Sequence, residues 1–290
     1  MTYLMLHDIR DISLNFFPKR YQFPYFYSIK EFEELLIKFK PKSFNEKDRH
    51  KYIYTFDDGL IDHLYVAKLL FKNKIKAIFF IPSAPVFERK MIDSHKIQFI
   101  LASNKEEIIL SYLLRIIKNE FDIENDYLET FKKSKWQINI WSNEMIFITR
   151  ILREFKSSIE RKLLIDKLFC KFVTIDERDF SENFYLSFNQ VDEISKMGHL
   201  IGGHGYKSLD LRYCNKSEIK NEILMSNKFI SNFNCQEKLY AYANGGFNDY
   251  AIEILRNLNF KKAFTTNLEY KGSPNLKRYV YKRIDPSKCK

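Results

Sequence analysis

The sequence has little that would fix a fold by covalent or repetitive means. Its four cysteines, Cys170, Cys214, Cys235 and Cys289, show no CxxC spacing. They make a poor zinc site and are expected to be thiols of a reducing compartment. No stretch approaches the roughly 20 uncharged apolar residues of a membrane-crossing helix, and the longest apolar segments, such as Lys76 to Pro82, have strand length. Glycine (8) and proline (7) are scarce among 290 residues, which excludes collagen-like and low-complexity chains. No repeat of fixed period is present. The first ten residues carry Asp8 and no basic-then-apolar leader. That arrangement reads as lacking a secretory signal and predicts a cytoplasmic protein, with membrane contact limited to peripheral association at the inner face.

What is present describes a globular chain: 45% hydrophobic and 29% charged residues in a length that supports a sizeable core. The balance of 48 Lys+Arg against 37 Asp+Glu gives +11, which invites an anionic partner. The basic residues are mostly Lys scattered along the chain, without a dense Arg cluster or a nucleic-acid motif, so nucleic acid is not the expected partner. A phosphate-bearing lipid or sugar nucleotide suits the charge better.

Strands and helices alternate at both ends of the chain. Tyr3 to Ile9 reads as a buried strand ending at His7-Asp8, and Ser28 to Phe39 as a helix opened by a Ser cap with Glu31 three residues on. Lys51 to Phe56 is a second strand running into Asp57-Asp58-Gly59, followed by a helix over Ile61 to Lys72 and a strand over Lys76 to Pro82. From about Phe87 to Glu182 the apolar spacing is helical throughout, and Trp136 and Trp141 are read as core residues. Core-like alternation resumes with helix Phe188 to Met197 and strand His199 to Gly203. Helix Ser217 to Phe233, strand Leu239 to Ala243, helix Tyr250 to Leu258 and strands at Lys262 to Thr266 and Tyr279 to Asp285 follow. The expected organisation is an α/β sheet domain of residues 1–86 and 183–290, interrupted by a helical insertion of residues 87–182.

Asp57 and Asp58 stand directly after an apolar strand, where parallel sheets and barrels place their sites. Adjacent like charges raise one another's pKa, so the pair calls for a cation or a proton. The plainer reading is one Asp capping the next helix and the other facing solvent. Thr55-Phe56-Asp57-Asp58-Gly59 resembles the first motif of the polysaccharide deacetylase family of carbohydrate esterases. Ile201-Gly202-Gly203-His204, followed by Leu209 and Leu211, resembles the second, and Tyr240 to Asn248 resembles the third, with Ala243 where proline is usual.

The resemblance implies a distorted (β/α) barrel and a hydrolase that removes an N-acetyl or N-formyl group from an amino sugar. The expected substrate is a lipid- or nucleotide-linked precursor of bacterial surface polysaccharide. Carried over residue by residue, it makes Asp57 the general base and Asp58 and His204 metal ligands, with a divalent cation, zinc first, as cofactor. His7 is the expected acid that protonates the leaving amine, because Leu6-His7-Asp8 resembles the N-terminal His segment of biofilm poly-N-acetylglucosamine deacetylases; the plainer reading is a packed His bonded to Asp8. Arg283 is the expected partner that orients Asp57, and Tyr242, Asn244, Gly245 and His95 are expected substrate contacts. His50 and His199 are read as structural.

One position departs from the pattern: Ser208 stands where the family's second metal histidine should be. Catalytic zinc keeps three protein ligands as a rule. Asp210, His63, His95 or Ser208 acting through water are the candidate replacements, His63 preferred; with none of them the site is metal-weak or metal-free. The competing reading is a catalytically inactive carbohydrate-binding or scaffold protein of the same fold.

Overall fold

The computed structural model describes residues 2–11, 17, 26–39, 52–121, 123, 128–132, 141–233, 237–266 and 274–289. Trp136, Cys235 and His50 lie outside them. Nine strands are described: β1 (Thr2–Leu6), β2 (Asp8–Ile9), β3 (Phe26–Tyr27), β4 (Tyr52–Asp57), β5 (Ile78–Ile81), β6 (Leu200–Gly203), β7 (Leu239–Ala241), β8 (Lys262–Thr265) and β9 (Tyr281–Ile284). Seven of them close a barrel in the order β1-β4-β5-β6-β7-β8-β9, and β1 returns to pair with β9. Every pairing in the barrel is parallel. β2 and β3 form a separate two-stranded parallel pair. The strand expected over Tyr3 to Ile9 is thus broken at His7, where the chain leaves one sheet for another.

The helices are α1 (Ile29–Phe39), α2 (His63–Lys72), α3 (Ser83–Glu88), α4 (Asp93–Ser103), α5 (Glu106–Glu120), α6 (Glu129–Lys132), α7 (Asn143–Glu154), α8 (Ser158–Phe172), α9 (Glu177–Glu182), α10 (Phe188–Lys196), α11 (Lys216–Ile230) and α12 (Asp249–Asn257). The expected cap of α1 forms in full. Ser28 Oγ accepts the Glu31 N–H at 3.2 Å and Glu31 Oε2 accepts the Ser28 N–H at 2.7 Å, an arrangement worth about 1 kcal/mol.

The chain divides into two compact units: residues 1–11, 25–90 and 181–290 form the barrel unit, and residues 12–24 and 91–180 the helical one. Within the helical unit, Lys96 is buried with its ammonium 2.6 Å from Asp166 and 2.9 Å from Glu177, joining α4, α8 and α9. Phe17 packs edge-on against Phe99 and Phe180 of this unit.

Strand alternation sorts the barrel side chains into two populations. Leu4, Tyr54, Phe56, Phe79, Ile201, Tyr240 and Ala263 join the large core under the helices, with Val66, Leu70, Ile194, Ile219, Ile223, Ile252 and Leu255. Tyr3, Ile53, Ile78, Phe80, Leu239, Ala241 and Phe264 form a second, smaller cluster that fills the lumen. The two-residue period that puts Ile53 in the lumen puts Thr55 and Asp57 there as well. It does the same for Met5 and His7 after Tyr3, and for Arg283 after Tyr281.

Candidate active site

Asp57 closes β4 and is 1% exposed, a cost that must be met by partners. Arg283, itself 2% exposed on β9, meets it with both ends of its guanidinium: Nη1 donates to Oδ1 at 2.5 Å and Nη2 to Oδ2 at 2.6 Å. This bidentate geometry fixes the carboxylate plane. Nη1 also donates to Thr55 Oγ1 at 3.2 Å, and that hydroxyl donates to the Leu4 carbonyl at 2.9 Å. Three barrel strands are tied by one chain of bonds. His7 Nε2 stands 3.8 Å from Asp57 Oδ2. Burial works to raise the Asp57 carboxyl, but Arg283 first, then His204 and His7, outweigh it and hold the group below its ordinary range.

Asp58 leaves the strand. Its φ of 75° is left-handed, a conformation that Asp tolerates better than most side chains. Gly59 follows at φ 63°, and a Cβ there would lie 2.7 Å from Ile81 Cγ2, so this turn accepts only glycine without displacement. The turn directs Asp58 away from its neighbour and toward His204, whose Nε2 is 3.5 Å from Asp58 Oδ1. His204 follows β6 and donates through Nδ1 to the Ala241 carbonyl at 2.9 Å, leaving Nε2 toward the carboxylate. Burial lowers the His204 pKa, and Asp57 and Asp58 together more than reverse this, so the imidazole sits above its ordinary value.

The adjacent aspartates therefore serve separate partners, and the structure brings Asp57, Asp58, His7, His204 and Arg283 to one end of the barrel. The remaining candidates are placed otherwise. His63 opens α2, which starts there and not at Leu60; it is fully buried and its Nε2 donates to the His7 carbonyl at 2.8 Å. Burial pushes it down to about 4. Asp210 is held by Arg212, with Nε at 2.9 Å from Oδ1 and Nη2 at 2.5 Å from Oδ2, and also accepts the Arg212 N–H. Ser208 has a left-handed φ of 57°. Among the described residues no three His, Cys, Asp or Glu side chains gather as a set able to hold a metal ion. The donors present, Asp58 and His204, fall one side chain short of the three that catalytic zinc takes, and the expected third ligand is not found among His63 and Asp210.

Of the expected substrate contacts, Asn244 is exposed in a left-handed turn at φ 51°, and Gly245 follows at φ 66°, its carbonyl accepting from Thr265 Oγ1 at 2.8 Å. Tyr242 is 1% exposed, its ring packed between Tyr240 and Phe247, so its side chain belongs to the core. His95 lies on α4 of the helical unit and is 3% exposed. His199 is buried between α2 and the approach to β5, as its structural reading requires.

Sequence reasoning missed Thr55 as a hydroxyl relay and Glu222, a buried carboxylate on α11. The second had a signal: a Glu among Ile219, Ile223 and Phe229 on the apolar face of its helix.

Residues 173–263 match the model of the polysaccharide deacetylase family. The barrel has the fold of solved polysaccharide deacetylases. A deacetylase of Streptococcus pyogenes, PplD, solved in complex with acetate, superimposes with a TM-score of 0.54 at 16% identity, covering 99% of this chain and 92% of that one. IcaB from Ammonifex degensii gives 0.51 at 14% identity, covering 98% and 90%. BC0361, a polysaccharide deacetylase from Bacillus cereus, gives 0.51 at 14%, covering 98% of this chain and 64% of that one. No curated protein matches the sequence. The matched segment holds His204, Asp210 and the Tyr240–Asn248 stretch; Asp57, Asp58, His7 and Arg283 lie outside it, and their grouping rests on the geometry above. Among the described residues no helix is long and apolar enough to cross a membrane.

Proposed function

We propose that the protein is an amide hydrolase that removes an N-acyl group, acetyl first, from an amino sugar of a bacterial surface polysaccharide or its lipid- or nucleotide-linked precursor. The observation that carries this reading is the lumen-end grouping of Asp57, clamped by Arg283, with His7 3.8 Å away. A carboxylate has about four lone-pair sites. Arg283 occupies two, which leaves Asp57 able to accept a proton from water while its plane stays fixed. Water oxygen adds to the amide carbon and Asp57 takes the proton released. His7 then gives its Nε2 proton to the sugar nitrogen, the carbon–nitrogen bond breaks, and the proton on Asp57 passes to His7 to restore both groups. The divalent cation that the resemblance implies would be held by Asp58 and His204, but the donor set does not fit a three-ligand site and no step above is routed through it.

The test is acetate release from N-acetylglucosamine oligomers and from lipid-linked N-acetylhexosamine. Asp57→Asn is expected to abolish it with the fold intact; turnover at the wild-type rate would remove Asp57 as base. The second reading, a sugar-binding protein without turnover, is favoured by the short ligand set. It requires glycan binding with no acetate released by the wild type, with or without added zinc.

A further inference from the structure

We propose that Glu222, outside the machinery just described, is the positioning residue of the His204 loop: its buried carboxylate clamps the backbone of residues 206–209 and so holds His204 against Asp58. This rests on the hydrolase reading for its kinetic consequence, though the clamp itself stands on geometry alone. α11 presents Ile219, Ile223, Phe229 and Ile230 to the core, and Glu222 sits among them at 1% exposure. A carboxylate there is tolerated only with its oxygens hydrogen-bonded. Three backbone N–H groups converge on it: Tyr206 at 3.0 Å from Oε2, Lys207 at 2.9 Å from Oε1, and Leu209 at 3.2 Å from Oε2.

The loop comes as close to this carboxylate as a glycine allows. Gly205 has a φ of +82°, and a Cβ added there would collide with Glu222 Oε2. From the other side, the N–H groups of Ser83 and Ala84 at the start of α3 donate to the carbonyls of Gly205 and Tyr206 at 3.1 and 2.8 Å. Tyr206 also donates its hydroxyl to Glu88. The segment is therefore fixed through both its carbonyls and its N–H groups, and His204 is its first residue. The His204 N–H donates to the Ile81 carbonyl at 3.2 Å and its ring is aimed by the bond to Ala241, so the direction in which Nε2 meets Asp58 depends on how the backbone that follows it is held. Glu222 supplies that hold from a helix, which places angles more rigidly than a loop does.

The experiment compares the full chain with Glu222→Gln and with Gly205→Ala. The first leaves one acceptor oxygen and turns an amide NH2 toward N–H donors. The second keeps the carboxylate and displaces the loop. In both, amide exchange over residues 204–209 should quicken roughly tenfold while exchange in β4 is unchanged. On N-acetylglucosamine oligomers kcat should fall about tenfold or more with KM within about twofold, because loop placement affects the reacting geometry and not the sugar contacts. Unchanged exchange in the loop of Glu222→Gln, or equal acceleration in β4, overturns the clamp. A loosened loop with wild-type kcat overturns the positioning role. A wild type that releases no acetate overturns the hydrolase reading instead, and the exchange comparison still decides whether Glu222 holds the loop.

Discussion

His199 makes acid sensitivity a measurable property of the barrel. Its ring is 3% exposed, packed edge-on to Phe79 at 5.4 Å; Nδ1 accepts the Ala77 N–H at 3.2 Å and Nε2 donates to the Ala67 carbonyl at 3.0 Å. One nitrogen must stay unprotonated for this bridge between α2 and the approach to β5 to exist. Burial lowers the pKa from 6.5 to about 4, with nearby Lys76 adding to the shift. The folded value lies below the unfolded one, so the unfolded chain takes up the proton first and stability falls as the pH drops from 6.5 toward 4. At pH 5, one and a half units below the unfolded value, the loss is about 2 kcal/mol for this residue. His63, also near 4, adds a similar loss over the same window. Denaturant titrations of the wild type and of His199→Gln at pH 7 and pH 5 isolate the effect. The variant, which keeps a donor and an acceptor, is expected to lose about 2 kcal/mol less than the wild type between the two pH values, whatever its stability at pH 7. An equal loss in both proteins refutes the assignment of the acid term to His199.

Two further outcomes are expected. Arg283→Met leaves a buried carboxylate without its cation and should destabilise the barrel by about 3–5 kcal/mol near neutral pH. Wild-type Asp57 is held low, so its contribution is present above the ordinary carboxylate range and lost as the pH falls below it; the variant's deficit should therefore shrink as the pH is taken from 5 to 3, and a deficit unchanged over that range in denaturant titrations would contradict the pairing. Wild-type protein should bind zinc weakly, with two side chains available, and Ser208→His should tighten binding by about tenfold or more in a competition titration; unchanged affinity would mean that position 208 does not face Asp58 and His204.

Much of this was legible in the sequence because the barrel repeats one physical pattern. Each strand alternates between lumen and helix layer, so apolar runs such as Ile78–Ile81 and the helices after them announce themselves by period. That Asp57, Asp58 and His204 meet at one end of the barrel was legible through short motifs. The break at His7 was not, because a strand that changes sheets keeps its extended backbone and apolar composition through the change. Tyr242 and His95 show a related limit: both side chains are buried, and residue type alone cannot say whether an aromatic or imidazole ring at a strand end or helix start faces a ligand or a core. Glu222 was hidden because its partners are backbone N–H groups, which leave no mark in a sequence.

Why two aspartates should be adjacent at all follows from the turn between them. In an extended strand Asp58 would face away from the lumen, into the layer occupied by Phe56 and Phe79, where a carboxylate is costly. A left-handed φ at Asp58 with Gly59 behind it ends the strand after Asp57 and swings the second carboxylate to His204. Each acid thus acquires its own cationic or polar partner, Arg283 for one and His204 for the other, and their mutual repulsion is met locally. The strain of a non-glycine left-handed residue, of order 1–3 kcal/mol, is stored where the chemistry is proposed to occur. It is sustained by the clamp on β9 and by the loop that Glu222 holds, so the parts of the barrel that look structural are those that keep the two carboxylates apart.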